Sequence, residues 1–272
     1  MQTSDAAREF AGTIPQLYEQ YMVPLIFAPY AEDIARRAVL RRPGSVLEIA
    51  AGTGVVTRQL ASSLPASTTI VASDLNQAML DQAATLGTGR PVIWQQADAM
   101  HLPFADATFD VVVCQFGAMF FPDKAVAFSE ARRVLRPGGA FFFNVWDRIE
   151  QNEFADAVTR ALTELYPADP PRFMPRIPHG YHDVAVIAHD LQRAGFSQTP
   201  SMVTVPMRSR AASARIAATA YCQGTPWRGE IEARGVPGLL EATRIVAEAL
   251  ARQFGDGAVD GGIQAHVVTV ER

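Results

Sequence analysis

Lysine and cysteine are scarce in this 272-residue chain, and each scarcity limits the chemistry it can carry. Lys124 is the only lysine, so a lysine Schiff base has a single candidate. The two cysteines, Cys114 and Cys222, are too few and too far apart for a disulfide scaffold or a zinc knuckle. The sequence contains no basic segment long enough to indicate a nucleic-acid-binding arm. It also contains no run of about 18 apolar residues, the length that a membrane-spanning helix needs. We therefore expect a cytoplasmic protein with no membrane span and no nucleic-acid partner.

The remaining composition favours a large α/β domain with additional helices. Hydrophobic residues make up 49% of the chain, which is ample for a sizeable core. Short apolar runs alternate with helical patterns, as in a doubly wound α/β fold. The predicted strands are a run from Val46 to Ile49, then Thr69–Ser73, Pro91–Gln95, Phe109–Gln115, Ala140–Trp146, Ser201–Pro206 and His266–Val270.

A glycine turn follows the first predicted strand and opens a helix. Gly52 and Gly54 lie in this turn, but Thr57 holds the place of the third glycine that a dinucleotide site requires. Glu48 and Ala50 complete the pattern Glu-x-Ala-x-Gly-x-Gly. This pattern resembles the first motif of class I S-adenosylmethionine-dependent methyltransferases, whose ligand has an amino group, a carboxylate and a sulfonium. An acid near the turn suits such a partly cationic ligand.

Acidic residues also follow the second and third predicted strands. Asp74 lies twenty residues after Gly54, where a carboxylate can accept both hydroxyl hydrogens of a ribose. The alternative is that Asp74 caps the helix that carries Met79. Asp98 follows the third strand, where it could accept the amine of an adenine while the Ala99 amide meets a ring nitrogen.

Two further motifs strengthen the resemblance. Asp-Ala-x-x-Leu-Pro-Phe, beginning at Asp98, resembles the second region of the type 11 methyltransferases, which include ubiquinone and menaquinone C-methyltransferases. Arg-Val-Leu-Arg-Pro-Gly-Gly, ending at Gly139, resembles the third motif of that family and predicts the end of a helix that starts at Lys124. The motifs cover about residues 45–147. The family usually places its last two strands as an antiparallel pair, so we expect a seven-stranded, mostly parallel, Rossmann-like sheet with an antiparallel last strand.

The resemblance implies S-adenosylmethionine as the cofactor and a small molecule as the methyl acceptor. By resemblance, Gln115 and Phe116 border the methionine part of the cofactor, whereas Phe120 and Phe121 face the acceptor or belong to the core. The predicted cofactor-binding residues are Glu48, Ala50, Gly52, Gly54, Asp74, Leu75, Met79, Asp98, Ala99 and Gln115.

No catalytic residue can be assigned from the sequence. His179, Tyr181 and His182 lie in a proline-rich segment and could supply a general base, although loop histidines are more often bystanders. No third ligand accompanies the two histidines at metal-binding spacing, so no metal site is expected. His101 is expected to be a loop residue.

Three parts of the chain are expected. Residues 1–43 form an N-terminal helical cap broken at its prolines, and residues 44–206 with 263–272 form the methyltransferase core. Residues 207–262 form a helical insertion that serves as a lid over the acceptor site or as the surface of a homodimer.

Three functions remain open at this point. The first is transfer of a methyl group to oxygen, nitrogen or carbon of a small molecule. The second is a nicotinamide-dependent oxidoreductase, which could share the glycine turn and Asp74. The third is a protein that binds S-adenosylmethionine without turnover.

Overall fold

The structure, a computed structural model, describes residues 14–272, and a seven-stranded sheet is the framework of these residues. Its strands are β1 (Ser45–Ile49), β2 (Thr69–Asp74), β3 (Ile93–Gln96), β4 (Phe109–Gln115), β5 (Leu135–Trp146), β6 (Ser201–Ala211) and β7 (Val259–Glu271). They lie in the order β3-β2-β1-β4-β5-β7-β6. The pairs from β3 to β5 are parallel, and β7 is antiparallel to β5. The predicted seven-stranded, doubly wound sheet is confirmed.

The strand order reverses between β1 and β4, which lie side by side in the middle of the sheet. Val46 pairs with Val111, and Glu48 pairs with Val113. Most residues of both strands are apolar, because helices cover both faces of a parallel sheet. In such folds the reversal opens a crevice outside the carboxyl ends of the strands, where ligands bind.

The helices are α1 (Ile14–Leu17), α2 (Ala28–Leu40), α3 (Val55–Ser63), α4 (Gln77–Leu86), α5 (Lys124–Val134), α6 (Glu153–Leu165), α7 (Phe173–Arg176), α8 (Val184–Arg193), α9 (Ala214–Gln223), α10 (Trp227–Arg234) and α11 (Leu239–Phe254). On one face of the sheet, Ile34 of α2 and Leu60 of α3 belong to one buried cluster with Phe142. Elsewhere in the core, Phe128 of α5 packs against Phe141 and Phe143 of β5.

The prolines near the start of the described chain do not break its helices, contrary to expectation. Residues 14–40 are helical throughout, with a π-helical stretch (Tyr18–Phe27) between α1 and α2. Pro24 lies inside that stretch, and Pro29 lies in the first turn of α2, where a missing N–H costs little. The first thirteen residues of the expected cap lie outside the described residues.

Strand β5 begins earlier than predicted and contains a bulge. Leu135 pairs with Phe109, but the next registered pair is Ala140 with Val111, so residues 136–139 bulge out of the ladder. Gly138 takes a φ of 77° there. The predicted helix-stop residues 136–139 therefore follow the end of α5, but they belong to β5. Strands β6 and β7 are also longer than expected, and β6 tolerates Pro206 because it is the edge strand.

The chain divides into two compact units. Of the described residues, the first unit contains 14–27, 147–180 and 206–264, including α6 and α9 to α11. Its interior includes the Phe154–Phe254 ring pair and the buried Trp227. The second contains residues 28–146, 181–205 and 265–272. All ten predicted cofactor-binding residues belong to this second unit. Within residues 14–272, no helix has the length and apolar character needed to cross a membrane.

Candidate functional site

The two glycines of the turn after β1 are required for different reasons. Gly52 has a φ of 56°, and a Cβ placed on it would have no atom within 4 Å. Gly54 has a φ of 81°, and its Cβ would lie 2.9 Å from Cη2 of Trp94 and 3.2 Å from Cβ of Ala83. Both φ values favour glycine. Gly54 therefore lets the turn pack against its neighbours, whereas Gly52 leaves open space in which a ligand could reach the backbone.

Asp74, at the end of β2, is bound to this turn. Its Oδ2 accepts a hydrogen bond from the Gly52 amide at 2.8 Å, and its Oδ1 accepts one from the Asn76 amide at 2.8 Å. The cap of α4 is Asn76, whose side chain accepts from Ala78, so Asp74 is not the helix cap. Burial raises the pKa of Asp74. A carboxylate can accept more than two hydrogen bonds, so capacity remains for ligand hydroxyls.

Glu48 lies beneath the turn, on β1. It is 1% exposed, and its Oε2 accepts a hydrogen bond of 2.5 Å from Thr57 Oγ1. Burial raises the pKa of Glu48 to about 8, so this carboxyl is mostly protonated at neutral pH. Thr57, which occupies the place of the third glycine, thus fastens α3 to β1 through a side chain that glycine lacks.

Asp98 and Ala99 follow β3, beside the end of β2. Asp74 pairs with Gln96, which places Asp98 two residues beyond the registered pair. Asp98 Oδ1 accepts a hydrogen bond from the Met100 amide at 2.9 Å, and Ala99 is buried. His101 is a largely exposed loop residue, with its Nδ1 3.8 Å from Asp98 Oδ2.

The chain turns sharply after Gln115, at the end of β4. Phe116 has a φ of 51°, a conformation uncommon for a residue with a side chain. Its N–H is shared between two acceptors on β5, the carbonyl of Asn144 at 3.1 Å and Asn144 Oδ1 at 3.0 Å. The Phe116 ring stacks on Trp146 with centroids 3.8 Å apart, and Tyr30 meets both rings edge-on. Sequence reasoning missed Asn144, whose signal is a lone polar residue in the run Phe-Phe-Phe-Asn-Val-Trp.

The turns after β1 and β4 touch at Gly117. A Cβ on this residue would overlap the Cβ of Ala50 and lie 2.8 Å from Cys114 Sγ. Ala50 itself has a φ of 54°, so both turns contain a residue with a side chain in the left-handed region. Close approach of the two turns therefore requires glycine at position 117.

These features fit a nucleoside with a charged tail. Thr53 Oγ1, between the two glycines of the turn, is buried and has no hydrogen-bond partner in the described part of the chain. Next to it, the Gly52 backbone borders open space, and the Asp74 carboxylate retains accepting capacity. Of the other predicted residues, Leu75 accepts a hydrogen bond from Gln96 Nε2 at 2.9 Å through its carbonyl, and Met79 is buried on α4.

The general-base candidates have different environments. Tyr181 donates a hydrogen bond of 2.9 Å to Asp190 Oδ2, and burial together with that carboxylate raises the pKa of Tyr181. It therefore stays protonated and is a poor base. His179 is buried, with Nδ1 2.8 Å from the Asp147 carbonyl, whereas His182 is half-buried.

Lys124 is used within the fold. Its Nζ donates to the carbonyls of Phe121 at 2.8 Å and Met119 at 3.3 Å, and lies 5.0 Å from the centre of the Tyr181 ring. Burial lowers the pKa of Lys124. The amine thus holds together the segment that follows β4.

Comparison with known proteins agrees with the methyltransferase resemblance of the sequence motifs. Residues 47–143 match the family model described as a methyltransferase domain. A ubiquinone/menaquinone biosynthesis C-methyltransferase from Idiomarina loihiensis is 38% identical over 131 residues, which cover 47% of this chain and 49% of that protein. The chain thus spans about half the length of the curated relatives it matches.

Solved structures share the fold at low sequence identity. A protein from Bacillus halodurans classed as a methyltransferase has a TM-score of 0.55 at 19% identity, covering 88% of this chain and 98% of the other. The [4+2]-cyclase SpnF has a TM-score of 0.55 at 18% identity, covering 90% and 80%. One fold therefore serves more than one reaction.

The glycine turn, the acid at the end of β2 and the strand order are typical of class I methyltransferase domains, which use S-adenosylmethionine. Residues 47–143 match a methyltransferase domain of the type 11 family, as the motifs in that segment predicted.

Proposed function

We propose that the protein transfers a methyl group from S-adenosylmethionine to a small-molecule acceptor. The observation that supports this most directly is the position of Asp74, which is bound to the Gly52 amide at the strand-order reversal. A carboxylate at that position can bind a ribose, while the adjoining turn offers backbone to the rest of the cofactor.

Six of the ten predicted cofactor-binding residues then have a defined task. Asp74 accepts the ribose hydroxyls, and Asp98 with the Ala99 amide holds the adenine. Gly52 and Gln115 border the methionine part, and Glu48 contributes negative charge beneath it when ionised. When bound, S-adenosylmethionine supplies a methyl group on positively charged sulfur. Since that group is already activated, the protein mainly has to align donor and acceptor and exclude water, worth about 7 to 11 kcal/mol in well-oriented cases.

The general base in this proposal is His179 or His182, since Tyr181 stays protonated; for His179 the tautomer can be assigned. A carbonyl can only accept, so the contact with Asp147 places a hydrogen on Nδ1 and the basic lone pair on Nε2. An acceptor that reacts through a phenol or an enol carbon needs such a base, whereas a neutral amine does not.

Calorimetry with S-adenosylmethionine, S-adenosylhomocysteine and NAD tests the cofactor assignment. Micromolar binding of the first two supports it, and a folded protein that binds neither would refute it. A melting temperature raised by NAD and not by S-adenosylmethionine would favour the oxidoreductase. Release of S-adenosylhomocysteine on screening crude small-molecule fractions would exclude the silent binding protein.

We further propose a cytoplasmic location and no nucleic-acid partner. Both cysteines are free, buried thiols, as suits a reducing compartment. The segment 207–262 is proposed to be a lid or a dimer surface. Sedimentation at several protein concentrations tests the dimer, and truncation of α10 tests the lid through acceptor turnover.

A further inference from the structure

One nitrogen of the Asn144 side chain has no acceptor. Asn144 is fully buried on β5, and its Oδ1 accepts a hydrogen bond from the Phe116 amide at 3.0 Å. Because the oxygen must face that N–H, the orientation of the side-chain amide is fixed. Its Nδ2 then finds no partner among residues 14–272. A buried, unsatisfied donor is costly, so its retention suggests a partner that the protein itself does not supply.

The register of the sheet shows which groups lie near this nitrogen. Asn144 pairs with Gln115 on β4, and Val113, two residues before Gln115, pairs with Glu48 on β1. Paired residues, and residues two apart on a strand, project from the same face of a sheet. Glu48, Gln115 and Asn144 therefore form a polar row on one face, running across the strand-order reversal towards β5.

The oxygen of the same side chain supports a strained turn. Phe116 adopts its φ of 51° while its N–H is bound by Asn144, and the facing turn has Ala50 at 54°. Strained backbone of this kind persists where the surroundings enforce it and is concentrated at functional sites. Asn144 thus contacts the turn through its oxygen and leaves its nitrogen for another group.

We propose that Asn144 Nδ2 donates a hydrogen bond to the carboxylate of the methionine part of S-adenosylmethionine; this rests on the proposed function. Gln115 is expected to border that part of the cofactor, and Asn144 is its direct neighbour in the row. The methionine part has one anionic group, which needs donors, and one ammonium, which can donate to a carboxyl oxygen of Glu48. An amide NH₂ matches the former and Glu48 the latter.

The test compares S-adenosylmethionine with its decarboxylated form, which retains the ammonium and the sulfonium. Calorimetry measures both ligands on the wild type and on Asn144→Leu, a change that removes the amide at similar volume. Loss of a hydrogen bond to a charged group should weaken S-adenosylmethionine binding by about 10- to 100-fold. The affinity for the decarboxylated ligand should change less than about twofold, since it lacks the group that Asn144 binds.

Equal losses for both ligands would show that Asn144 acts only on the Phe116 turn, and would overturn the proposal. No loss for either ligand would also overturn it. That result is expected if the Asn144 amide binds the methyl acceptor instead of the cofactor. Wild-type protein that binds neither ligand would refute the proposed function itself, so the two failures are distinct. If Asn144→Leu does not fold, Asn144→Ala with the same ligand pair gives the same comparison.

Discussion

The Asp74 carboxylate and the Gly52 amide are joined by a hydrogen bond of 2.8 Å, which ties the end of β2 to the glycine turn after β1. Both residues are predicted to contact the cofactor, so this bond connects two parts of the expected site before any ligand binds. The turn is therefore ordered before the proposed cofactor binds, which lowers the entropy lost on binding.

Replacing Asp74 by Ala should weaken S-adenosylmethionine binding by about 1.5 to 3 kcal/mol, the scale of a hydrogen bond to a charged group. Calorimetry measures this, and thermal unfolding shows how far loss of the Gly52 contact loosens the turn. Asp81→Ala, an exposed acid on α4, is the matched control and should leave affinity unchanged. Unaltered affinity in Asp74→Ala would show that Asp74 only stabilises the turn and does not bind the cofactor.

Replacing Glu48 by Gln should change how stability depends on pH. The pKa of Glu48 is raised from 4.5 to about 8 in the folded protein, so the fold favours the protonated carboxyl. Stability from this group is therefore fully present below pH 4.5 and falls between about pH 4.5 and 8, by at most about 1.4 kcal/mol per pH unit. Gln cannot ionise, and it can still accept from Thr57.

Urea unfolding of both proteins at pH 5, 6, 7 and 8 measures this effect, since the Glu48→Gln variant should gain stability relative to wild type as the pH rises. Acids that do not interact with Glu48 contribute alike to both curves. Curves that stay parallel over this range would contradict a raised Glu48 pKa.

Alanine at the two glycines of the turn should have unequal effects. Gly52→Ala should cost about 1 to 2 kcal/mol for its left-handed backbone alone, because its Cβ enters open space. Gly54→Ala should cost about 1 to 3 kcal/mol more, because its Cβ meets Trp94 and Ala83. Chemical denaturation ranks the two variants. Cofactor affinity should fall in Gly52→Ala despite its milder effect on stability. If Gly52→Ala were the more destabilising of the two variants, the open space would not lie at Gly52.

Replacing Trp146 by Ala should destabilise the protein by about 3 to 5 kcal/mol, because the Phe116 ring loses its stacking partner in a buried site. Trp146→Phe is the control, since a smaller ring can still stack and should cost roughly 1 kcal/mol. Equilibrium unfolding measures both. Similar values for the two variants would contradict this prediction, because only Trp146→Ala removes the stacking ring.

The central strands could be predicted from the sequence because each signal there is local. Runs such as Val111–Val113 are short, apolar and β-branched, and the glycines of the first turn follow their strand directly. Asp74 and Asp98 could likewise be placed, since each follows a predicted strand.

The rest depends on contacts between distant residues. Whether residues 136–139 end a helix or bulge from a strand is decided by pairing with β4, and Pro206 is tolerated because β6 is the edge strand. The shared hydrogen bonds of Asn144 likewise follow from the register between β4 and β5. From the sequence, Thr57 could be described only as the residue that replaces the third glycine. Its hydrogen bond to Glu48 could not be predicted, because it depends on how α3 packs on β1.

Gly117 limits how this protein could acquire a new substrate. Any side chain at that position must push apart the two turns that border the proposed donor site, so random mutagenesis for altered specificity should return position 117 unchanged. Libraries that spare this residue and diversify Phe120 and Phe121 instead should retain more folded, cofactor-competent clones.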